Sequence, residues 1–182
     1  MPEPASSGRR DRASRIPPVA NIVIPPPPIP ESERPPPIKF NHAGDLSGFV
    51  NQSNHRIIHK NKTYPSALHL LEAMKFADKP DIVERIRLAL DANEVYRLSS
   101  QYQEHVRADW GRMFLDVLDD VLYLKFKQNP TIRHLLLNTG IADLIFADSN
   151  EYWGEGPNGE GENHLGRALC RVRERFHREG VR

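Results

Sequence analysis

The sequence predicts a mainly α-helical fold: one compact, multi-helical domain with a small β-hairpin, preceded by a proline-rich tail. Beyond residue 38, apolar residues recur at the three- and four-residue spacing of helices in most segments. The chain before that point carries twelve of the 16 prolines, and proline fixes φ and lacks an amide donor. We therefore expect residues 1–37 to be a disordered, polyproline-like tail and residues 38–182 to be the folded domain. Such a tail can bind a proline-reading partner domain, although an inert extension is the favoured interpretation.

The first half of the domain is predicted to contain a hairpin and three helices. Residues 56–64 read as two short strands around Asn61, a residue suited to a tight turn. Ser66 is a good N-cap for the first helix. Pro80 is expected to open the second helix, and Asn93 to cap the third.

Two further helices follow, the first of which is the longest in the chain. It is predicted to run from Asp109, as N-cap, to Gln128, with an apolar stripe that only Lys125 interrupts. Pro130 is expected to start the next helix and Gly140 to end it.

The last part of the chain is predicted to hold a short apolar segment, a loop and a final helix. Residues 142–146 are either a strand or a buried loop, and residues 150–162 form an ordered loop. The final helix covers about residues 163–177 and contains Cys170, the single cysteine. A lone cysteine excludes an internal disulfide and a zinc site made of several cysteines, so a buried structural thiol is favoured.

Composition excludes several classes of protein. A formal net charge of +1 gives no electrostatic basis for binding duplex DNA or an anionic membrane. No apolar run approaches the roughly 20 residues that span a bilayer, and the N-terminus lacks the apolar core of a signal peptide. We expect an intracellular protein that does not associate with membranes, cytoplasmic with the nucleus also compatible. The histidines show no metal-binding pattern and no cofactor motif occurs, so neither a metal nor a cofactor is predicted.

Lys75 and Glu72 are the candidate catalytic pair. At 100° per residue they share a helical face with Leu68 and Leu71. An ammonium beside leucines is poorly solvated, which favours a neutral amine that can attack a sugar C1 or an aldehyde. Glu72 can act as acid or base, although it also stabilises the ammonium. From the pattern alone, an exposed ion pair on the helix surface is the favoured interpretation.

The glycine-bearing loop around Trp153 is a candidate ligand site. The indole can stack on a base or a nicotinamide, and Gly154 lets a ligand approach the backbone. Gly161 to Asn163 lead directly into the last helix, where free amides can hold a phosphate. The alternative, in which Trp153 packs on the core and has no role in ligand binding, is about equally favoured.

Arg107 and Trp110 flank the start of the longest helix. Arg107 can hold a pyrophosphate. Trp110 begins the apolar stripe, so a structural role is favoured for this segment from the pattern alone.

Five segments, taken in order, resemble the NADAR (YbiA-like) family. They are Leu46–Phe49; Lys62–Ser66 with His69, Ala73, Lys75 and Phe76; Arg107 with Asp109 and Trp110; Leu124–Pro130 with Leu136, Leu137 and Gly140; and Trp153 to Gly166 with their glycines and Asn163. Each motif alone is weak, but the five together cover about residues 40–178.

The resemblance implies a compact helical domain that recognises NAD- or ADP-ribose-type ligands. The family's activities are N-glycosidic: cleavage of a ribosylamino pyrimidine intermediate of riboflavin synthesis, or removal of ADP-ribose from a modified guanine. The family's matching helix lysine, Lys75 here, is implied to form a Schiff base with the ribose. The candidate ligand contacts are then Arg107, Trp110, Trp153, Gly154, Gly161, Asn163 and His69.

Three positions depart from the family pattern. Leu68 replaces a glutamate, Gly48 an asparagine and Asn150 an acidic residue. If the domain is a hydrolase, Glu72, one turn along nearly the same face, is expected to take over the lost carboxylate's proton transfer. The alternatives are a catalytically inactive NAD- or ADP-ribose-binding module, which Leu68 favours, and an interaction domain with Lys75 on an open surface.

Overall fold

The structure, a computed structural model, describes residues 30–181. The predicted mainly α-helical fold is confirmed, because the described residues form six α-helices and only two small two-stranded sheets. The helices are α1 (Ala67–Met74), α2 (Pro80–Arg87), α3 (Ala92–Gln101), α4 (Trp110–Gln128), α5 (Pro130–Asn138) and α6 (His164–Arg178). The strands are β1 (Ile38–Phe40), β2 (Ile57–His59), β3 (Lys62–Tyr64) and β4 (Leu144–Phe146). Most of the predicted tail, residues 1–29, lies outside the described residues, and residues 30–37 contain one 3₁₀ turn at Glu31–Glu33.

The predicted hairpin is formed by β2 and β3, which pair antiparallel with Ile57 opposite Tyr64. Lys60 and Asn61 connect them with φ values of 48° and 60°, a left-handed turn backbone that matches the twist of the two strands. The Gln128 side chain accepts from the Ile58 amide at 2.7 Å and donates to its carbonyl at 2.9 Å. The end of α4 is thereby attached to the outer edge of the hairpin.

A second small sheet joins the two ends of the domain. Residues 142–146, predicted to be either a strand or a buried loop, contain a strand, β4, which pairs in parallel with β1. Phe40 lies opposite Phe146, and their rings stack with centroids 5.4 Å apart. The sequence does not predict β1, because three residues are too few to establish an alternating pattern.

Two predicted helix caps are wrong. Asp91 rather than Asn93 caps α3, and its carboxylate accepts a hydrogen bond from the Glu94 amide at 2.9 Å. Asp109 occupies the N-cap position of α4 but makes no capping hydrogen bond. Its carboxylate is held instead by two hydrogen bonds from Arg107, a charged partner that is stronger than a neutral amide.

α4 lies at the centre of the core, where α1, α5 and α6 pack against it. Lys125, which interrupts its apolar stripe, is completely buried, and its ammonium donates to the Val50 carbonyl at 2.7 Å. Desolvation disfavours the charged form and lowers the pKa of Lys125 from 10.5 to about 7. Val50 directly follows the 3₁₀ turn at Ser47–Phe49, so Lys125 fixes the segment that leads to residues 51 and 52.

Replacing Lys125 with methionine should change how stability depends on pH. In the unfolded chain the lysine keeps its proton up to about pH 10.5, whereas in the folded chain it loses the proton near pH 7. Unfolding therefore takes up a proton between these values, and the stability of the wild type rises with pH across this window. We expect the difference in unfolding free energy, wild type minus Lys125→Met, to increase by up to about 1.4 kcal/mol per pH unit between pH 7 and 9.

Urea titrations at pH 7, 8 and 9 on both proteins measure this difference. Subtracting the variant removes the contributions of the other titratable groups. A difference that stays constant over the three values would contradict a depressed lysine pKa.

Candidate active site

The centre of the candidate site is an ion pair at the end of α1. The helix begins at the predicted N-cap, Ser66, and ends at Lys75. Lys75 Nζ lies 2.6 Å from Glu72 Oε2, and the two side chains are only 20% and 7% exposed. Glu72 Oε2 makes no aligned hydrogen bond among the described residues, so this charge contact is what offsets its burial. The predicted ion pair is therefore present, but its expected exposure on the helix surface is wrong, because the pair is mostly enclosed.

Two other helices close around the Lys75 ammonium. It donates to Ser99 Oγ of α3 at 3.3 Å and lies 6.0 Å from the centre of the Trp110 ring on α4. The negative face of an indole attracts a cation at this distance. The amine is thus fixed in position by a carboxylate, a hydroxyl and an aromatic face.

A row of aromatic rings runs from Lys75 to the loop after β4. Trp110 contacts Phe114, and Phe114 contacts Trp153, with 5.5 Å between ring centres in each case. Tyr152 lies against both Phe114 and Trp153. Lys75 and Trp153, far apart in sequence, are therefore two ends of one continuous aromatic surface.

A cavity of about 110 Å³ opens beside Trp153 and is lined by Asn51, Gln52, Tyr96 and Asp148, among others. The Tyr96 hydroxyl accepts a hydrogen bond from Gln52 Nε2 at 3.2 Å. The pKa of Tyr96 is raised by burial of the hydroxyl and by the nearby carboxylates of Glu72 and Asp148. Tyr96 and Ser99 both belong to α3, so this helix contributes one side chain to the cavity and one to the ion pair.

The backbone of Arg107 is hydrogen-bonded to that of Lys75, since the Arg107 amide donates to the Lys75 carbonyl at 2.9 Å. Its guanidinium donates to both carboxylate oxygens of Asp109, at 2.5 and 2.8 Å. This contact raises the pKa of Arg107 and lowers that of Asp109. Two of the five N–H donors of Arg107 are thereby occupied, and a pyrophosphate would use the others or displace Asp109.

The prediction of free amides at the start of α6 is wrong. The amides of residues 161–165 donate, in order, to the carbonyls of Glu155, Glu151, Gly154, Tyr152 and Trp153, at 2.6 to 3.2 Å. The loop before the helix folds back and occupies the donors that were expected to face a phosphate. These five amides are consequently satisfied within the chain.

The sequence model of the NADAR domain matches residues 38–177. The chain belongs to the NADAR domain family. Within residues 30–181 this NADAR domain contains no group of three or more histidine, cysteine or acidic residues arranged to hold a metal ion. No helix in the same part of the chain is both long and apolar enough to cross a membrane.

Relatives of this NADAR domain include proteins named N-glycosidase and proteins named riboflavin biosynthesis protein. The N-glycosidase YbiA of Escherichia coli is 31% identical over 138 residues, which is 75% of this chain and 86% of that protein. A riboflavin biosynthesis protein of Vibrio vulnificus is 36% identical over 140 residues, 76% of this chain and 38% of that protein. The chloroplastic riboflavin biosynthesis protein PYRR of Zea mays is 35% identical over 152 residues, 75% of this chain and 24% of that protein. The chain thus spans well under half the length of the two riboflavin proteins.

The NMR structure of E. coli YbiA has the same fold. It superposes with a TM-score of 0.73 at 31% identity, covering 81% of this chain and 88% of that one.

Four of the residues predicted to contact a ligand also have a structural role within the NADAR domain. The Asn163 side chain donates to the Leu144 carbonyl at 2.8 Å and accepts from the Phe146 amide at 3.0 Å, clamping β4 to α6. A side-chain carbon at Gly154 or Gly161 would lie within 2.7 Å of a backbone carbonyl oxygen, so close packing of the chain requires these glycines. His69 is 5% exposed, with its ring nitrogens 2.8 Å from Ser66 Oγ and 3.1 Å from the Ala89 carbonyl.

Several residues of the cleft were not singled out from the sequence. Asn51, Gln52, Tyr96 and Ser99 belong to no recognisable motif, and only folding brings them beside Lys75 and Trp153. Asp148 had a weak indicator in the sequence, since it is the first acidic residue after the short apolar segment that became β4. Polar side chains just beyond a strand end often line a site.

Replacing His69 with alanine should lower stability. The change leaves the Ala89 carbonyl without the ring nitrogen it contacts and removes one of the two hydrogen-bond partners of Ser66 Oγ, at a cost of about 1–3 kcal/mol. Burial lowers the pKa of His69 below 6.5, so the unfolded chain takes up a proton first and the wild type loses stability as the pH falls below about 6.5. His69→Ala should lack this histidine's part of that loss.

Urea unfolding of His69→Ala and of His134→Ala, an exposed histidine on α5, measures the effect. Equal stability of the two variants would show that the internal contacts of His69 contribute nothing.

Proposed function

We propose that this NADAR domain hydrolyses N-glycosidic bonds in an ADP-ribose-like or ribosylamino-base ligand. The observation that carries the proposal is the enclosed Lys75–Glu72 pair at one end of an aromatic surface that leads to Trp153. A positioned amine next to a carboxylate is the arrangement that covalent attack on a sugar carbon requires. The name N-glycosidase carried by the relative YbiA points to the same class of reaction.

The proposed reaction needs a proton transfer and two exchanges at the sugar carbon. That carbon is transferred from the base to Lys75 and then from Lys75 to water. Glu72 takes a proton from Lys75 across their 2.6 Å contact, leaving a neutral amine. The amine attacks the anomeric carbon as the bond from that carbon to the base breaks, and the base leaves with the proton from Glu72. The ribose ring of the adduct then opens, with the proton of the adduct nitrogen passing to the ring oxygen, and gives the iminium form. Water then hydrolyses the sugar–lysine adduct and restores the amine. Trp110 faces the positive charge that develops on the adduct nitrogen.

Ligand binding is assigned to the walls of the same cleft. Trp153 offers a flat apolar face on which a base can stack. Arg107, whose backbone is hydrogen-bonded to that of Lys75, offers its remaining donors to a pyrophosphate. The amides of residues 161–165 are not assigned to ligand binding, because they already donate to carbonyls of the preceding loop. The small-molecule ligands that fit this description include ADP-ribosylated guanine nucleotides and a ribosylamino pyrimidine.

A catalytically inactive binding module is the second candidate, and Leu68 favours it. Leu68 is 2% exposed and stands where the resemblance has a glutamate. Without that carboxylate, Glu72 is the acidic residue within reach of the Lys75 amine. Tight ADP-ribose binding with no product from any N-glycoside would support the binding module and contradict the hydrolase.

Replacing Lys75 with arginine should abolish turnover while keeping the fold. Arginine retains the charge beside buried Glu72, but its guanidinium is not a nucleophile at neutral pH. We expect kcat on ADP-ribosylated guanine nucleotides or on the ribosylamino pyrimidine to fall at least about 10³-fold. The matched control is Lys79→Arg, which changes an exposed lysine paired with Asp78 and should leave kcat unchanged.

Borohydride reduction followed by mass spectrometry of the peptides tests the covalent step directly. Wild type should carry the sugar on Lys75, and Lys75→Arg should carry none. Equal turnover of the two proteins would remove Lys75 from the mechanism.

Glu72→Gln separates proton transfer from binding. An amide keeps the shape of the side chain but cannot exchange the proton, so kcat should fall by about 10²–10⁴-fold. The dissociation constant for ADP-ribose, measured by calorimetry, should change less than about threefold. A loss of affinity with unchanged kcat would assign Glu72 to binding instead.

A further inference from the structure

Ser99 of α3 is hydrogen-bonded to the amine that the proposed reaction uses as its nucleophile. The serine is 4% exposed, and its Oγ accepts from Lys75 Nζ at 3.3 Å. The shorter contact of the same nitrogen, 2.6 Å to Glu72 Oε2, is not aligned as a hydrogen bond. Among the described residues, an N–H of Lys75 therefore points at Ser99, whereas Glu72 acts on the nitrogen mainly through its charge.

The hydrogen of the Ser99 hydroxyl has no acceptor within residues 30–181. A serine inside a helix can donate to the carbonyl four residues earlier, which here is that of Val95. In this part of the chain, however, the bond from Lys75 is the one hydrogen bond of the Ser99 side chain. A hydroxyl can accept and donate at the same time, so Ser99 has an acceptor position at the amine and an unused donor.

The ring-opening step of the proposed reaction moves a proton between two atoms that are bonded to the same carbon. The adduct nitrogen must give its proton to the ring oxygen while the bond from the sugar carbon to that oxygen breaks. In a direct transfer the N–H cannot point at the oxygen, because nitrogen, carbon, oxygen and hydrogen would form a strained four-membered ring. A hydroxyl beside both atoms allows two nearly linear transfers in a six-membered ring instead.

We propose that Ser99 is a catalytic proton relay for the opening of the ribose ring. Its oxygen takes the proton of the adduct nitrogen along the hydrogen bond that it accepts from Lys75, and its own proton passes to the ring oxygen. The electron pair of the bond between the sugar carbon and the ring oxygen goes to that oxygen. The pair left on the nitrogen forms the C=N bond of the iminium. The serine ends unchanged, and the relay rests on the proposed hydrolase function.

Glu72 is the other group near this proton, and its geometry favours a different part in the step. Having given its proton to the leaving base, it is a carboxylate 2.6 Å from the Lys75 nitrogen. A buried carboxylate is stabilised by a cation beside it, and both the adduct and the iminium carry a positive charge. Transfer through Ser99 leaves this pair of charges in place from start to end.

Rapid-quench measurements on Ser99→Ala separate ring opening from the first bond cleavage, with an ADP-ribosylated guanine nucleotide as the probe. Attack by Lys75 and departure of the base do not use the serine hydroxyl, so the variant should release one guanine nucleotide per protein in a fast burst. Later turnovers should be slower than in the wild type by about 10²-fold or more. Ser100→Ala, which changes the exposed neighbouring serine, should behave like the wild type.

Borohydride identifies the step that is slowed, because it reduces the iminium but not the adduct with a closed ring. With borohydride present from the start, the wild type should be fixed as a Lys75 adduct about as fast as the base is released. Ser99→Ala should be fixed about 10²-fold more slowly than it releases the base. Alanine is favourable in a helix, and the burst itself reports that the fold and the amine are intact.

Equal slowing of the burst and of the later turnovers in Ser99→Ala would show that the hydroxyl positions Lys75, and would overturn the relay. Unchanged turnover would overturn it as well and would leave Glu72 as the carrier of this proton. Both results include Lys75-dependent turnover, so they contradict the relay and not the hydrolase. A wild type that releases no base from any N-glycoside contradicts the hydrolase, and the relay with it.

Discussion

The enclosed ion pair between Glu72 and Lys75 constrains the rest of the cleft. A carboxylate buried to this degree is unfavourable unless a cation remains beside it. Lys75 can remain there because α1 ends at that residue and because Ser99 of α3 and Trp110 of α4 close around the ammonium. Three helices must therefore pack in one relative arrangement, and that arrangement also defines where a ligand can approach the amine.

The Trp153 end of the aromatic row is held in place in a different way. The loop after β4 satisfies its own hydrogen bonds. Asn150 accepts from the amides of Tyr152 and Trp153, and the Asn163 side chain bonds the first and last residues of β4. This internal bonding consumes the donors that a phosphate would need, but it holds the Trp153 ring in a defined position. The loop thus contributes a surface for stacking rather than a set of donors for an anion.

Much of the helical fold could be predicted because its determinants are local. Apolar spacing defined α4, Pro130 and Gly140 bounded α5, and Asn61 formed the turn of the hairpin, each through interactions within a few residues. The errors occurred where a distant or charged partner competes with the local one. Asp109 was expected to cap α4 but is held by Arg107, and β1 exists only because β4, about a hundred residues away, pairs with it.

The amino-acid sequence by itself determined the helical class, the family resemblance and the Lys75–Glu72 pair, because residue type and helical spacing suffice for these. Only the tertiary structure decided that the pair is enclosed, that a row of aromatic rings connects it to Trp153 and that the amides before α6 are occupied. It alone also revealed the hydrogen bond from Lys75 to Ser99. Burial and hydrogen-bond pairing depend on which distant segments meet, and no local pattern in the chain encodes that meeting.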